Sequence, residues 1–553
     1  MAKNIHAVSD THQVFNQTPE FKDYNAYQID PSLQSALHDN GAGWAEARVD
    51  RYGAVVGGEL RDAGFVANVH LPQLDTHDRY GHRIDEVSFH PSYHALMRAA
   101  IGSGWPTLPW SEPQPGAHVA RAAMAYLHHQ ADSGTGCPLT MTFAALSVIR
   151  RCPVLAKVWE PLVCSGRYDP ENKAYFNKSG VTIGMGLTEK QGGTDVRANT
   201  TTATALAGCG PGKAYELEGH KWFFSAPMCD AFLVLAQAKQ GLGCFLMPRW
   251  RPDGSRNQVF VQRLKDKMGN RSNASAEVEF RGALAWLIGE EGRGVTTILE
   301  MVALTRFDCI VGSTGLMRQA TVQAIHHCRH RQVDGQYLIE KPLMQNVLAG
   351  LVVETDAALA LGMRLAAALD NQDHDPKEKL FVRAATAIGK YWVCRRATGL
   401  IMEAMECLGG NAYIEDSILP RLYREAPVNA IWEGSSNVQC LDVLRAHTRD
   451  KGGLAVVVEE IEKAKGLNTD LDNHLLMVKD ELTKEQAQEF RARRIVEHLV
   501  LGLQASLLLR KGKQVIAESY CSIYLGERRT SMYGGFDDQS RCREIIDYSL
   551  PVQ

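Results

Sequence analysis

A chain of 553 residues with a formal net charge of −3 is too long for one hydrophobic core and should divide into about three or four parts. Its 45% hydrophobic and 22% charged residues are ordinary for a globular protein, and no global charge draws it to a polyanion. The 13 cysteines stand singly between Cys137 and Cys542 with no C-x-x-C, which argues for reduced core thiols and against a disulfide framework or a zinc site. The first residues lack an apolar run with a cleavage site, so no secretory signal is expected. The apolar run 499–509, broken by Gln504 and Ser506, covers about eleven residues and is too short to span a bilayer. The expectation is a soluble, intracellular, cytoplasmic protein without membrane insertion.

Residues 1 to about 60 are polar, with turn signals at Asn16-Gln-Thr-Pro19 and His38-Asp-Asn-Gly41. From there to about 180 helical periodicity dominates, interrupted by Pro106, Pro109, Pro113 and Pro115. Between 181 and 290 the character changes. Thr200-Thr-Thr-Ala-Thr204, Lys213-Ala-Tyr-Glu-Leu217, Ala231-Phe-Leu-Val-Leu-Ala236 and Cys244-Phe-Leu-Met247 are short, rich in β-formers and separated by turns, which predicts a small antiparallel β-domain. Helical spacing returns near 294, where Val295, Leu299 and Val302 fall at i, i+4, i+7. A last helical section runs from about 451 to 553, with a strongly apolar helix near 490–510. The expected class is α+β, mainly α, in four parts: 1–180 helical, 181–290 β, 291–450 a helical bundle, 451–553 a helical extension.

The chain is organised around Met185-Gly-Leu-Thr-Glu-Lys-Gln-Gly-Gly-Thr-Asp-Val196. Backbone amides freed at Gly192 and Gly193, with hydroxyls at Thr188 and Thr194 on either side, make a donor-rich surface suited to an anion or an electron-rich heterocycle. The spacing is neither G-x-G-x-x-G nor the P-loop, and taken alone paired glycines mark only a tight loop. Lys221-Trp-Phe-Phe-Ser225 is an aromatic cluster ending in a hydroxyl at the start of an expected strand, and such runs are usually core. Arg331, in Arg331-Gln-Val-Asp-Gly335, reads by itself as a capping charge. Gly409-Gly410 reads as a helix C-cap, and Glu433 as a solvated carboxylate in a glycine–serine loop.

Together, and in this order, the segments resemble the acyl-CoA dehydrogenase family of flavoproteins. Segments 186–195 and 221–225 match its two signatures. Arg331, Gln345 with Leu348-Ala349, the Gly409-Gly410 pair and Trp432-Glu-Gly-Ser-Ser-Asn437 follow, so coverage runs from about 60 to 450. Thr11-His-Gln-Val-Phe-Asn-Gln17, Arg83-Ile-Asp-Glu-Val-Ser-Phe-His-Pro91 and the extension past 450 resemble the AidB-like branch.

The resemblance implies N-terminal helices, a middle β-domain and a C-terminal four-helix bundle, assembled as a homotetramer with one FAD per subunit. It places Met185, Leu187 and Thr188 along the flavin, and Gly193 and Thr194 at the pyrophosphate or acyl-CoA. Phe223, Phe224 and Ser225 cover the other side of the isoalloxazine. Ile431, Trp432, Glu433, Gly434, Ser435 and Asn437 close the site, while Gly409, Gly410, Arg331 and a neighbouring subunit's Gln345 region reach the FAD. Glu433 is the expected base that takes the α-proton of a fatty acyl-CoA before β-hydride transfer to the flavin. One departure is Asp334, where the family commonly has phenylalanine in R-x-x-F-G, so aromatic packing at that FAD contact is in question.

His326-His-Cys-Arg-His330 puts two histidines at i, i+4, but no further ligand is spaced to join them, so no metal is expected. The branch also raises DNA protection, and a further alternative is a flavoprotein that mainly sequesters acyl-CoA. Residues 445–553 hold 17 Lys plus Arg and 17 Asp plus Glu. Clusters at 491–494, 510–513 and 527–529 lie among acidic residues, so at most weak DNA binding without sequence preference is expected, with acyl-CoA the tighter ligand.

Overall fold

The computed structural model describes residues 11–449, 452–484, 486, 488–527 and 531–551. The N-terminal layer holds α1 (Pro31–Asp39), α2 (Glu46–Gly57), α3 (Glu59–Val69), a hairpin of β1 (Gln73–His77) and β2 (Arg83–Ser88), α4 (Pro91–Ser103), α5 (Leu108–Ser111), α6 (Ala117–Ala131), α7 (Gly136–Ile149) and α8 (Pro153–Val163). Two features depart from expectation. The stretch read as polar and turn-rich carries α1 and α2, because Leu33 and Leu37 at i, i+4 are fully buried and Asp30 caps Leu33 N at 3.0 Å. The β1–β2 hairpin interrupts the helical stretch where Asp78 accepts from Tyr80 N and His82 N and Gly81 takes φ +84°.

The middle layer is one seven-stranded sheet of β3 (Ile183–Thr188), β4 (Thr202–Ala205), β5 (Ala214–Ser225), β6 (Ala231–Ala238), β7 (Gly241–Pro248), β8 (Val259–Leu264) and β9 (Ser275–Ile288). Its order is β3-β5-β4-β6-β7-β9-β8, and further pairing of β5 with β9 closes it on itself. It is not wholly antiparallel: β3 runs parallel to β6, Ile183 opposite Ala231 through Gly186 opposite Val234. No hairpin joins these two strands, so nothing forces opposite directions. The aromatic run 221–225 ends the long strand β5 instead of beginning one. Gly219 lets β5 continue past Thr201, whose Oγ1 would lie 2.6 Å from any Cβ there.

The C-terminal layer comprises α9 (Gly294–His330), a small hairpin of β10 (Gln332–Val333) and β11 (Gln336–Tyr337), α10 (Pro342–Asn371), α11 (Pro376–Leu408), α12 (Leu419–Asn429) and α13 (Ser436–Arg449). α9, α10 and α11 pack along one another and α13 lies on α11. α10 is long and apolar enough, by length and composition, to cross a bilayer. Some 83% of its apolar window is buried inside the protein, as suits the central helix of a bundle. In the extension α14 (Ala455–Glu462), α15 (Thr469–Thr483), α16 (Gln488–Lys511), α17 (Gln514–Tyr524) and α18 (Gln539–Ser549) follow. α16 packs on α10, α11 and α13, and α18 packs on α10. Buried Arg318 of α9 binds the carbonyls of Ile29 and Ser549, tying the two ends of the described chain together.

Candidate active site

The register of β3 on β5 sets the first wall: Met185 lies opposite Ser225, and Thr188 opposite Phe223. Strand alternation then puts Phe223 and Ser225 on one face and Phe224 on the other. Phe223 is 51% exposed, whereas Phe224 is fully buried, 4.4 Å from the Phe232 ring and against Gly186, where a Cβ would come within 2.3 Å of it. The side chain of Phe224 therefore belongs to the sheet interior and not to the face expected to cover a flavin.

The glycine turn after β3 hangs on a post that the sequence reading did not single out. Glu189 and Lys221 are fully buried and paired at 2.7 Å. The Glu189 oxygens also accept from the backbone and hydroxyl groups of Thr200 and Thr201. Burial alone would raise this carboxyl, but Lys221 and the threonine donors hold it down at about 2. From that post the chain turns through Gly192, φ +134°. Gly193 then folds back on Thr188, whose Oγ1 lies 2.3 Å from the position of a Cβ, so a larger residue cannot sit there unmoved. Leu187 is half-buried and Thr194 exposed.

The second wall comes from α12 and the turn after it. Glu425, Val428, Asn429 and Trp432 recur at i, i+3, i+4, i+7 and face one cavity, with Glu433 beside them. Glu433 takes φ +57° and Gly434 φ +101°; the left-handed region costs a non-glycine residue about 1–3 kcal/mol. The turn is held against that cost. Arg306 Nε donates to Glu433 O at 2.8 Å. Gln439 Nε2 donates to the carbonyls of Glu433 and Gly434, and Lys390 Nζ donates to Gly434 O at 2.9 Å. Asp442 in turn anchors Arg306 at 2.7 Å. The strained backbone thus aims the Glu433 side chain at the cavity, where Oε2 accepts from Thr305 Oγ1 at 3.0 Å. Burial raises its carboxyl above the ordinary value of 4.5, opposed by Thr305, Lys390 and Arg306.

The cavity of about 50 Å³ gathers Met185, Ser225, Trp432 and Glu433 from the expected set. It adds residues that sequence reasoning missed: Thr305, Asp308 and Cys309 of α9, His129 at the end of α6, Cys137 and Thr140 of α7, Asn270 and Glu425. Asp308 is neutralised by buried Arg121 and accepts from Thr140 Oγ1 at 2.6 Å. The other expected residues lie outside the cavity lining. Arg331 donates to Asn16 O at 2.7 Å, which brings the segment 11–17 onto the β10 hairpin. Gln345 is buried and bonded within the chain to Ile339 O and Gln539. Gly409 caps α11 with φ +65°, and with Gly410 it is exposed. Ile431 and Ser435 are exposed, and Asn437 Oδ1 accepts from Arg493 of α16 at 2.8 Å.

Asp334 and Gly335 form the two-residue β10–β11 turn with φ +53° and +75°. Such a turn favours aspartate followed by glycine, so backbone conformation accounts for the departure from phenylalanine. In the histidine run, His326 Nε2 bonds Pro19 O and His330 Nδ1 bonds His326 O. Both are occupied with backbone.

Residues 16–170 match the family described as the adaptive response protein AidB N-terminal domain, residues 184–283 the acyl-CoA dehydrogenase middle domain, and residues 292–448 the acyl-CoA dehydrogenase C-terminal domain. The AidB protein of Escherichia coli (strain K12), classed by name with the acyl-CoA dehydrogenases, is 43% identical over 521 residues, covering 94% of this chain and 95% of that protein. The chain belongs to the acyl-CoA dehydrogenase family. Acyl-CoA dehydrogenase family member 11 of Caenorhabditis elegans is 27% identical over 525 residues, 91% of this chain and 83% of that protein. The Caenorhabditis elegans ACDH-11 structure, solved with C11-CoA, superposes with a TM-score of 0.82 at 24% identity over 99% of this chain and 95% of that one, which shows the same acyl-CoA dehydrogenase fold. The resemblance drawn from the motifs, the AidB-like branch included, is thereby established, as is the mainly helical α+β class. Acyl-CoA dehydrogenases are FAD-dependent flavoprotein oxidoreductases.

Proposed function

We propose that this chain binds FAD and an acyl-CoA, and that Glu433 removes the proton α to the thioester. The observation that carries this is the Glu433 carboxyl itself: a strained turn, held by Arg306, Gln439 and Lys390, aims it into a narrow cavity. Burial there raises its basicity.

The residues present fit the cofactor. Phe223 offers an exposed ring on the face it shares with Ser225. Trp432 Nε1 is buried without a partner among the described residues, as a donor awaiting a ligand would be. Gly193 leaves a cradle beside Thr188. Met185, Thr188, Phe223 and Ser225 would hold the flavin ring, with Gly193 and Thr194 toward its phosphates. FAD, when bound, supplies the acceptor for the β-hydride. Glu433 takes the α-proton, and Thr305 orients its carboxylate. The exposed apolar side chains of Leu343 and Tyr413 support a homotetramer in which they are covered.

Purified protein should be yellow, with about one FAD per chain. Absence of a flavin spectrum after reconstitution with excess FAD would contradict the reading.

The alternative of duplex binding is weaker. Arg510 pairs with Glu460 at 2.7 Å, Lys511 donates to Asp39 O at 2.7 Å, and Arg491 and Arg494 share Glu481. Arg528 and Arg529 lie outside the described residues. Charges already paired have little left to neutralise phosphates, which supports weak, sequence-independent affinity.

A further inference from the structure

A second cavity, of about 640 Å³, opens where α1 and α10 meet α16 and α18 of the extension, and it shares no lining residue with the one beside Glu433. α10 contributes Asp356, Leu359, Ala360, Arg364 and Ala367, which recur on one helical face over about 16 Å. Leu507 and Leu508 of α16 and Tyr548 of α18 add apolar surface. Cavities of this size at the joins between domains are where small molecules commonly bind.

The charges around it do not quite cancel. Buried Glu460 pairs with Arg364, Arg510 and Lys463 at 3.0, 2.7 and 2.6 Å, and Glu378 pairs with Arg364 at 2.7 Å. Two carboxylates thus serve three cations. Lys511 Nζ donates only to neutral oxygens, Asp39 O at 2.7 Å and Asn40 Oδ1 at 3.3 Å, and it forms no ion pair among the described residues. Burial lowers its ammonium below the ordinary 10.5; Asp39 and Glu460 resist, while Arg510 and Arg364 add to the fall. Lys513 is met only loosely by Glu544, at 3.6 Å. Elsewhere in the lining, Asp356 accepts from Ser32 Oγ at 2.7 Å. Burial pushes its carboxyl up to about 7 against that hydroxyl, so this wall can meet an apolar body uncharged.

We propose that this cavity is a second ligand site for an amphipathic monoanion, a carboxylate on an apolar body the length of a medium-chain fatty acid. Its carboxylate would meet Lys511 and Lys513 at the exposed rim, in charge-assisted hydrogen bonds. Its body would lie along Leu359, Ala360, Leu507 and Leu508. The surplus of positive charge is small, which suits one carboxylate and not a run of phosphates, in keeping with weak duplex affinity. The site is independent of the acyl-CoA reading given above.

The test is calorimetric titration of the full-length protein with decanoate, and with decan-1-ol as the uncharged control. Decanoate should bind about ten-fold or more tightly than the alcohol. Lys511→Gln, which keeps a donor and drops the charge, should remove about that factor, and Lys511→Arg should restore it. Ala36→Trp fills this cavity from α1 and leaves the lining beside Glu433 untouched, so it should abolish decanoate binding. Thermal unfolding of each variant reports whether it folds. If Lys511→Gln does not, Lys513→Gln, which leaves the Lys511 contact with Asp39 in place, should show the weakening instead. Decanoate that fails to bind, or that binds no better than decan-1-ol, would overturn the site. Affinity unchanged in folded Lys511→Gln and Ala36→Trp would overturn it as well, by placing the decanoate elsewhere.

Discussion

Replacing Glu189 by glutamine removes one charge from the interior and leaves Lys221 behind. Both residues are fully buried and 2.7 Å apart, and the carboxylate also gathers Thr200, Thr201 and Gln191. Breaking one side of a buried ion pair costs about 3–5 kcal/mol, because the remaining charge loses its compensation. Lys221 is already drawn down to about 8 by burial, against the pull of Glu189, so it can shed its proton and limit the loss. The expected cost is therefore at the lower end, about 3 kcal/mol. It is read as a lowered urea midpoint at pH 7 with an unchanged slope. Glu189→Gln combined with Lys221→Met should recover most of the loss, since an apolar pair leaves no orphan charge. A single variant within about 0.5 kcal/mol of the parent, or a double variant no better than the single, would show that Lys221 does not depend on Glu189 for its burial. The folded-state carboxyl sits at about 2, below the ordinary 4.5, so its contribution is complete above 4.5 and is lost as pH falls toward 2. Glu189→Gln should lack that limb.

Gly193→Ala should lower FAD retention about ten-fold or more, because the new Cβ meets Thr188 Oγ1 at 2.3 Å; Thr188→Ala in the same chain should restore part of it, and unchanged retention would discard the cradle. Flavin reduction by a bound acyl-CoA should fall on the acid side with a midpoint above 4.5, since burial raises Glu433 and only the ionised form accepts a proton; a midpoint at or below 4.5 would contradict that. Asp334→Asn should leave stability unchanged, whereas Asp334→Val should cost about 1 kcal/mol or more by thermal unfolding, because a β-branched residue resists φ +53°.

The site was half legible in the sequence. Met185, Ser225, Trp432 and Glu433 sit in three short motifs, and their convergence was expected from the family resemblance that those motifs carry together. Glu189 and Lys221 stood in those same motifs, but nothing in one strand or loop says that a carboxylate and an ammonium will meet inside. Thr305, Glu425 and His129 reach the cavity from α9, α12 and α6, and only tertiary packing brings such distant segments together. The same limit explains the fold. Alternating apolar residues announced the β-domain, but the parallel β3–β6 pairing and the unbroken run of β5 depend on closure of the sheet. Leu33 and Leu37 mark α1 only once their burial is seen.

The role proposed for Glu433 is that of the base for the α-proton. Anaerobic titration of the flavin-loaded protein with an acyl-CoA should bleach the flavin, and Glu433→Gln should abolish bleaching while leaving acyl-CoA affinity within about three-fold, because the amide keeps the shape and cannot accept the proton. Bleaching that survives at comparable rate in Glu433→Gln would contradict the account.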